Sequence, residues 1–146
     1  MKKIFIIILL ILVISTIIFI PLTFNKYIDV SSFIDFIVFI DPGHGGYDNG
    51  AVQNGVLEDE INLQISQKVE SKLKAKGVQV KMSRYDDTYL SLTDRTKMAN
   101  NWGSDIFVSV HQNSATSSSA NGIETYHYST RQDSKELATE IQSDLI

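Results

Sequence analysis

Two histidines, each within a few residues of the end of an apolar segment, are the residues of this chain best suited to bind a metal. His44 lies in the turn Asp-Pro-Gly-His-Gly-Gly of residues 41–46, which follows the β-prone run 36–40. His111 ends the alternating apolar segment 105–110. If both segments are parallel strands of one sheet, the two imidazoles lie at the edge where open α/β sheets bind ligands. The alternative is a glycine-rich turn whose histidine is only solvated.

An acidic cluster offers a third ligand. Residues 58–60, Glu-Asp-Glu, open a helical pattern that Gly77 ends. The apolar stripe of this helix consists of Ile61, Ile65, Val69 and Leu73. A carboxylate in the first turn can point to the same sheet edge, although acidic residues there also complement the helix dipole without any metal.

Two histidines and one carboxylate would leave a tetrahedral zinc ion with one open position, which is the arrangement of catalytic sites. Such a zinc lowers the pKa of its bound water to about 7 and polarises a carbonyl group. The chain has no cysteine, so histidine and carboxylate are the metal ligands available. The predicted chemistry is hydrolysis of an amide or an ester.

Strands and helices alternate around these residues. The predicted elements are a strand at 36–40, a helix at 58–76, a strand at 78–82, a helix at 92–102, strands at 106–111 and 123–128, and a terminal helix. This order predicts an α/β fold with a mainly parallel sheet flanked by helices. Ala99 and Trp102 of the second helix are expected in the core.

A series of ordered motifs resembles the zinc-dependent N-acetylmuramoyl-L-alanine amidases of the Amidase_3 family. The matching segments are 40–46, 50–51, 57–63, 83–84 with Asp87, 92–95 with 99–100, 107–113 and 122–126. The resemblance implies a phosphorylase/hydrolase-like α/β fold and cleavage of the bond between N-acetylmuramic acid and L-alanine in peptidoglycan. It also implies that the zinc ligands are His44, Glu58 and His111.

The family carries a further glutamate, the general base, in a segment resembling Val-Glu-x-Gly-Phe near the end of the domain. No such segment occurs in these 146 residues. Glu124, beside a family-like strand, is the remaining candidate for a catalytic role. We therefore expect residues 36–146 to form a C-terminally incomplete catalytic domain. The alternative is a catalytically deficient protein that binds zinc and peptidoglycan.

Three further polar residues are expected to have structural roles. Arg84 and Arg95 match family positions, and each is expected to anchor a loop or to pair with a nearby carboxylate such as Asp87 or Asp94. His127 is expected to be structural or exposed rather than a metal ligand.

The first 26 residues predict a cytoplasmic start and a membrane anchor. Lys2 and Lys3 precede the apolar stretch 4–20, which continues through Pro21 and Leu22. As a helix this stretch would span about 28 Å, close to the thickness of the hydrocarbon core. No Ala-x-Ala-like cleavage step follows, although a cleaved signal peptide is the alternative.

The two lysines favour a cytoplasmic N-terminus, which would make residues 27–35 a linker and place the domain on the outer side of the cell membrane. This layout is similar to that of membrane-anchored sporulation amidases of the family. The net charge of −4 argues against nucleic acid as a partner. The expected partners are peptidoglycan and the membrane.

Overall fold

Strands and helices alternate in the structure, a computed structural model that describes residues 36–115, 117 and 119–146. The elements are β1 (Ile37–Pro42), β2 (Val52–Gln53), β3 (Val56–Leu57), α1 (Glu58–Ala75), β4 (Gln79–Met82), α2 (Leu92–Trp102), β5 (Ile106–Val110) and α3 (Gln132–Leu145). The predicted α/β fold with a parallel sheet is therefore confirmed.

Strand β1 is the centre of a three-stranded parallel sheet with the order β4-β1-β5. Val38 pairs with Val80 on one side and with Ile106 on the other. A central parallel strand is covered on both faces, so its apolar run is buried throughout. Phe39 is 0% exposed and Ile40 is 1% exposed.

The two faces of the sheet have different cores. Ile40 and Met82 belong to a cluster on one face, against which Leu63 and Leu73 of α1 pack. Phe39 points to the opposite face, because successive side chains of a strand alternate. There its ring lies 6.2 Å from that of Trp102 and 6.0 Å from that of Phe107. Helices therefore cover both faces of the sheet.

The buried face of helix α1 differs from the predicted stripe. Ile65 and Val69 are 37% and 38% exposed, whereas Asn62 and Ser66 are fully buried. The prediction was wrong for these residues because α1 must also cover the polar loop that follows β1. The side-chain amide of Asn62 donates to the carbonyl oxygen of Gly43 at 3.2 Å, a contact that an apolar residue could not make.

The predicted strand at residues 123–128 is not a strand in the described part of the chain. Its backbone is instead tied to α3, where the Gln142 side-chain amide donates to the Ile123 carbonyl oxygen at 2.8 Å. The Thr125 hydroxyl donates to the Gln142 side-chain oxygen at 2.8 Å. Ile123 and Tyr126 are 51% and 77% exposed. The segment has β-prone residues, but among the residues that the structure describes no strand lies beside it to complete a ladder.

Among the described residues, no helix is long and apolar enough to cross a membrane. The predicted anchor at residues 1–26 and the predicted linker at residues 27–35 lie outside the described residues.

The carboxylate of Asp41 joins four elements beneath the end of β1. Asp41 is 3% exposed, and its Oδ1 accepts hydrogen bonds from Arg95 at 2.7 Å and from Ser83 at 2.6 Å. Its Oδ2 accepts from the Ser109 hydroxyl at 2.9 Å. Arg95 thus pairs with Asp41 rather than with the predicted Asp94, which instead bonds the Ser91 hydroxyl at the start of α2.

Arg84 anchors loops, as predicted, but through carbonyl groups rather than through Asp87. Its guanidinium donates to the carbonyl oxygens of Pro42, Gly43, Asp59 and Asp86 at 2.8 to 3.0 Å. The side chain is 3% exposed, so these bonds satisfy donors that water cannot reach. Arg84 therefore connects the loop after β1 to the first turn of α1.

We expect Arg95→Ala to lower the free energy of unfolding by roughly 3–5 kcal/mol, because it leaves the Asp41 carboxylate buried without its cation. Urea denaturation would measure this loss. The control is Arg131→Ala, which breaks an ion pair with Asp133 whose side chains are both 64% exposed. That variant should unfold at the wild-type midpoint. Equal midpoints for the two variants would contradict the role assigned to Arg95.

Candidate metal centre

Parallel pairing of β1 with β5 brings the two predicted histidines together. Pro42 pairs with Val110, so the residues that follow them emerge at the same sheet edge. The imidazole rings of His44 and His111 are 4.9 Å apart, centre to centre, and meet edge-on at 81°. This is the placement that the strand pattern predicts.

Glu58 supplies a carboxylate from the first turn of α1. Its Oε1 lies 3.1 Å from Nδ1 of His111 and 3.4 Å from Nε2 of His44. One possible ligand atom from each of the three residues lies within 4.8 Å of the others. Two imidazole nitrogens and a carboxylate oxygen are ligands that zinc accepts, and three protein ligands leave a position for a substrate or water.

The carboxylate of Glu58 is fixed in place by backbone groups. The backbone N–H of Ala51 donates to Oε2 at 2.8 Å, and the backbone N–H of Gln112 donates to Oε1 at 2.9 Å. Burial by itself raises the pKa of Glu58, but these two bonds and the nearby His44 imidazole lower the pKa to about 2. Glu58 is therefore ionised across the physiological pH range.

The hairpin formed by β2 and β3 places Ala51 beside Glu58. Val52 pairs with Leu57, and the backbone N–H of Glu58 donates to the Ala51 carbonyl oxygen at 3.0 Å. Our sequence analysis missed this hairpin. Its signal was the dipeptide Asn54-Gly55, in which both residues have positive φ, the conformation of the tightest hairpin turns.

Asp48 and Arg95 orient His44, and neither role was predicted from the sequence. His44 has φ of 61°, an uncommon backbone conformation for a residue with a side chain. Arg95 donates to its carbonyl oxygen at 2.8 Å. Nδ1 of His44 lies 3.0 Å from the Asp48 carboxylate, and this hydrogen bond is the main cause that lowers the pKa of Asp48. A carboxylate on one imidazole nitrogen leaves the other nitrogen for a metal.

The other candidates from the sequence lie apart from this group. Glu124 is exposed, and its carboxylate accepts a hydrogen bond from the Tyr126 hydroxyl at 2.7 Å. His127 is exposed, as predicted. Asp59 is 2% exposed, and burial together with the neighbouring Asp87 raises its pKa, so it is more than a solvated partner of the helix dipole.

A cleft of about 250 Å³ opens beside the two histidines. The side chain of Glu58 is 5% exposed, whereas those of His44 and His111 are 24% and 47% exposed. Tyr89, Leu92 and Phe107 also line the cleft. The carboxylate is thus the innermost of the three candidate ligands, and the two histidines line the cleft.

A parallel α/β sheet that carries two histidines and a buried glutamate at its carboxyl edge is the framework of an α/β protein whose described residues could hold a metal ion with one position open. The N-acetylmuramoyl-L-alanine amidase family, Amidase_3, matches residues 38–146. The chain belongs to this family.

Individual relatives agree with this assignment. N-acetylmuramoyl-L-alanine amidase LytC of Bacillus subtilis is 48% identical over 110 residues, which are 74% of this chain and 22% of LytC. A sporulation-specific N-acetylmuramoyl-L-alanine amidase of the same organism is 47% identical over 93 residues, which are 62% of this chain and 35% of the relative.

The solved structure of the CwlD amidase from Clostridioides difficile, in complex with the GerS lipoprotein, has a TM-score of 0.73 at 31% identity. The match covers 76% of this chain and 65% of that chain. The chain therefore spans less than two thirds of each of these three relatives.

The side chains of His44 and Glu58 pack closely against Gly50. A Cβ atom at Gly50 would lie 2.6 Å from the His44 ring and 2.8 Å from Oε2 of Glu58. We expect Gly50→Ala to weaken zinc binding by roughly 10- to 100-fold, the range seen when the surroundings of metal ligands are disturbed. Competition with a chromophoric chelator would measure the dissociation constant.

Gly55→Ala is the matched control, because Gly55 also has positive φ but a Cβ atom there would meet nothing within 4 Å. Both variants carry a backbone penalty of about 1–2 kcal/mol. Only Gly50→Ala should change the zinc affinity, and an equal loss in both variants would mean that the backbone strain alone is responsible.

Proposed function

We propose that this chain is a zinc-dependent hydrolase that cleaves the amide bond between N-acetylmuramic acid and L-alanine in peptidoglycan. The observation that carries the proposal is the convergence of His44, Glu58 and His111 at the carboxyl edge of the sheet in a chain of the amidase family. Relatives named as N-acetylmuramoyl-L-alanine amidases, one of them sporulation-specific, support cell-wall remodelling, including that of the spore, as its setting.

The residues of the chain would divide the work as follows. His44, Glu58 and His111 would hold the metal, and the Asp48 carboxylate would accept a hydrogen bond from the Nδ1–H of His44, which leaves Nε2 for the metal. When bound, zinc would supply Lewis-acid polarisation of the amide carbonyl and a lower pKa for a water molecule. The ionised Glu58 would compensate part of the metal charge, and His111 lines the cleft with a half-exposed side chain.

A second candidate function is binding of zinc and peptidoglycan without cleavage. Glu124, the remaining candidate for the general base, is exposed and bonds Tyr126 rather than joining the three ligands. General acid–base catalysis contributes roughly 10²- to 10⁴-fold to a rate. A chain that holds the metal without a general base beside it would bind the substrate and hydrolyse it slowly.

The deciding experiment treats purified peptidoglycan with the full chain and measures the release of new L-alanine amino groups. We expect release to stop after chelation and to return when zinc is added, because three protein ligands need the metal to form a reactive site. Retention of zinc and of peptidoglycan binding without any released amino groups would favour the second candidate.

Ligand variants test the metal assignment directly. His44→Ala, His111→Ala and Glu58→Gln should each lose stoichiometric zinc, measured by atomic emission, and with it the hydrolysis. His127→Ala is the matched control, since His127 is an exposed histidine whose Nδ1 lies 3.2 Å from the Tyr128 carbonyl oxygen. Full zinc content in His44→Ala would show that the ligand set is different.

We also propose that residues 1–26 anchor the chain in the cell membrane with the domain on the extracytoplasmic side. The apolar stretch after Lys2 and Lys3 and the location of peptidoglycan support this arrangement. The chain should remain in the membrane pellet after a sodium carbonate wash and should be digested by protease added to intact protoplasts. Release into the carbonate supernatant would contradict the anchor.

A further inference from the structure

Two tyrosines form an exposed stacked pair beside the metal centre. The rings of Tyr47 and Tyr89 are 4.2 Å apart, centre to centre, with an angle of 27° between their planes. Tyr47 is 79% exposed and Tyr89 is 39% exposed. A ring that is four-fifths exposed contributes little to a core, so one face of Tyr47 is available to a ligand.

The backbone around this pair is held tightly. Tyr47 lies in a turn closed by a hydrogen bond from the Gly45 N–H to the Asp48 carbonyl oxygen at 2.8 Å. A Cβ atom at Gly46 would lie 2.9 Å from the Tyr89 nitrogen, so the two backbones are in contact. Gly46 also donates its N–H to the Asp87 carboxylate. The stacked pair is therefore a rigid surface that loses little entropy when a ligand binds.

The pair adjoins the cleft that contains the predicted metal ligands. Tyr89 lines this cleft together with His44 and His111. Tyr47 is three residues from His44, which limits the distance between their Cα atoms to roughly 11 Å. Any substrate held at the metal centre thus has its neighbouring groups within reach of the exposed Tyr47 face.

We propose that Tyr47 and Tyr89 form a stacking platform for a pyranose ring of the glycan strand, which orients the substrate at the metal centre. This rests on the proposed function, because the scissile amide of that substrate is only a few bonds from the ring of N-acetylmuramic acid. The C–H groups on one face of a pyranose carry slight positive charge and complement the negative face of an aromatic ring.

The surroundings favour a sugar over an anionic peptide. Asp48 and Asp87 flank the platform, and the side chain of Asp48 is 44% exposed. Their negative charge would repel a carboxylate-bearing ligand, whereas the hydroxyl and acetamido groups of a sugar can donate to them. The Tyr47 hydroxyl can also donate to or accept from sugar hydroxyls.

The test uses the full chain and a peptide-free probe, the tetrasaccharide of N-acetylglucosamine, with binding measured by NMR titration. We expect Tyr47→Ala to weaken binding of the tetrasaccharide by about 2- to 12-fold, the range for one aromatic contact. Tyr47→Trp keeps an aromatic face and should retain the affinity. Tyr126→Ala is the matched control, because Tyr126 is 77% exposed and lies outside the residues that line the cleft.

Kinetics with a soluble muropeptide add a second readout. A contact made equally to substrate and transition state raises KM and leaves kcat unchanged, so Tyr47→Ala should raise KM by a similar factor. Zinc content should be the same in all three variants. Wild-type affinity of the Tyr47→Ala variant for the tetrasaccharide would overturn the platform. Loss of binding of an alanyl stem peptide by this variant, with binding of the sugar retained, would also overturn it.

The outcome is separable from that of the proposed function. Zinc-dependent amidase activity without tetrasaccharide binding would reject the platform alone. Tyrosine-dependent tetrasaccharide binding without hydrolysis would support the platform and reject cleavage.

Discussion

The buried pair of Asp41 and Arg95 is the interaction on which the rest of the structure depends. A carboxylate that is 3% exposed must be paired and fully hydrogen-bonded, and Asp41 obtains its partners from β5, from α2 and from the residue after β4. Arg95 also donates to the carbonyl oxygens of Leu90, Pro42 and His44. The Arg95 guanidinium, which neutralises the buried Asp41 carboxylate, thus also holds the backbone of His44, a proposed metal ligand.

This arrangement explains why the histidine turn can be strained and still be ordered. His44 has positive φ, and the glycines around it bring backbone against side chains, since a Cβ atom added at Gly43 would lie 2.2 Å from the His111 ring. A conformation of this kind persists only where the surroundings determine it fully. Arg84, which donates to four carbonyl oxygens, and Arg95, which donates to those of Pro42 and His44, provide those constraints.

The choice of Glu58 within the acidic cluster came from the resemblance to the amidase family, whereas local patterns in the sequence were sufficient to place His44, His111 and the first turn of α1 at one sheet edge, because strand period, glycine turns and the start of α1 are all readable over a few residues. They were insufficient for contacts between distant residues. Arg95 bonds a carboxylate 54 positions away, and no local signal distinguishes Asp41 from Asp94 as its partner. The prediction for the buried face of α1 was wrong for the same reason. Asn62 is buried where its side chain bonds the carbonyl oxygen of Gly43, which lies in the loop after β1.

Contacts within the chain gather the three side chains of the site. Oε1 of Glu58 lies within 3.4 Å of a nitrogen of each imidazole and accepts a third contact from the Gln112 N–H, although its ligand partners come from segments 14 and 53 positions away. A metal bound by His44, Glu58 and His111 would add its binding energy to the stability of the fold, because the unfolded chain cannot gather the three side chains.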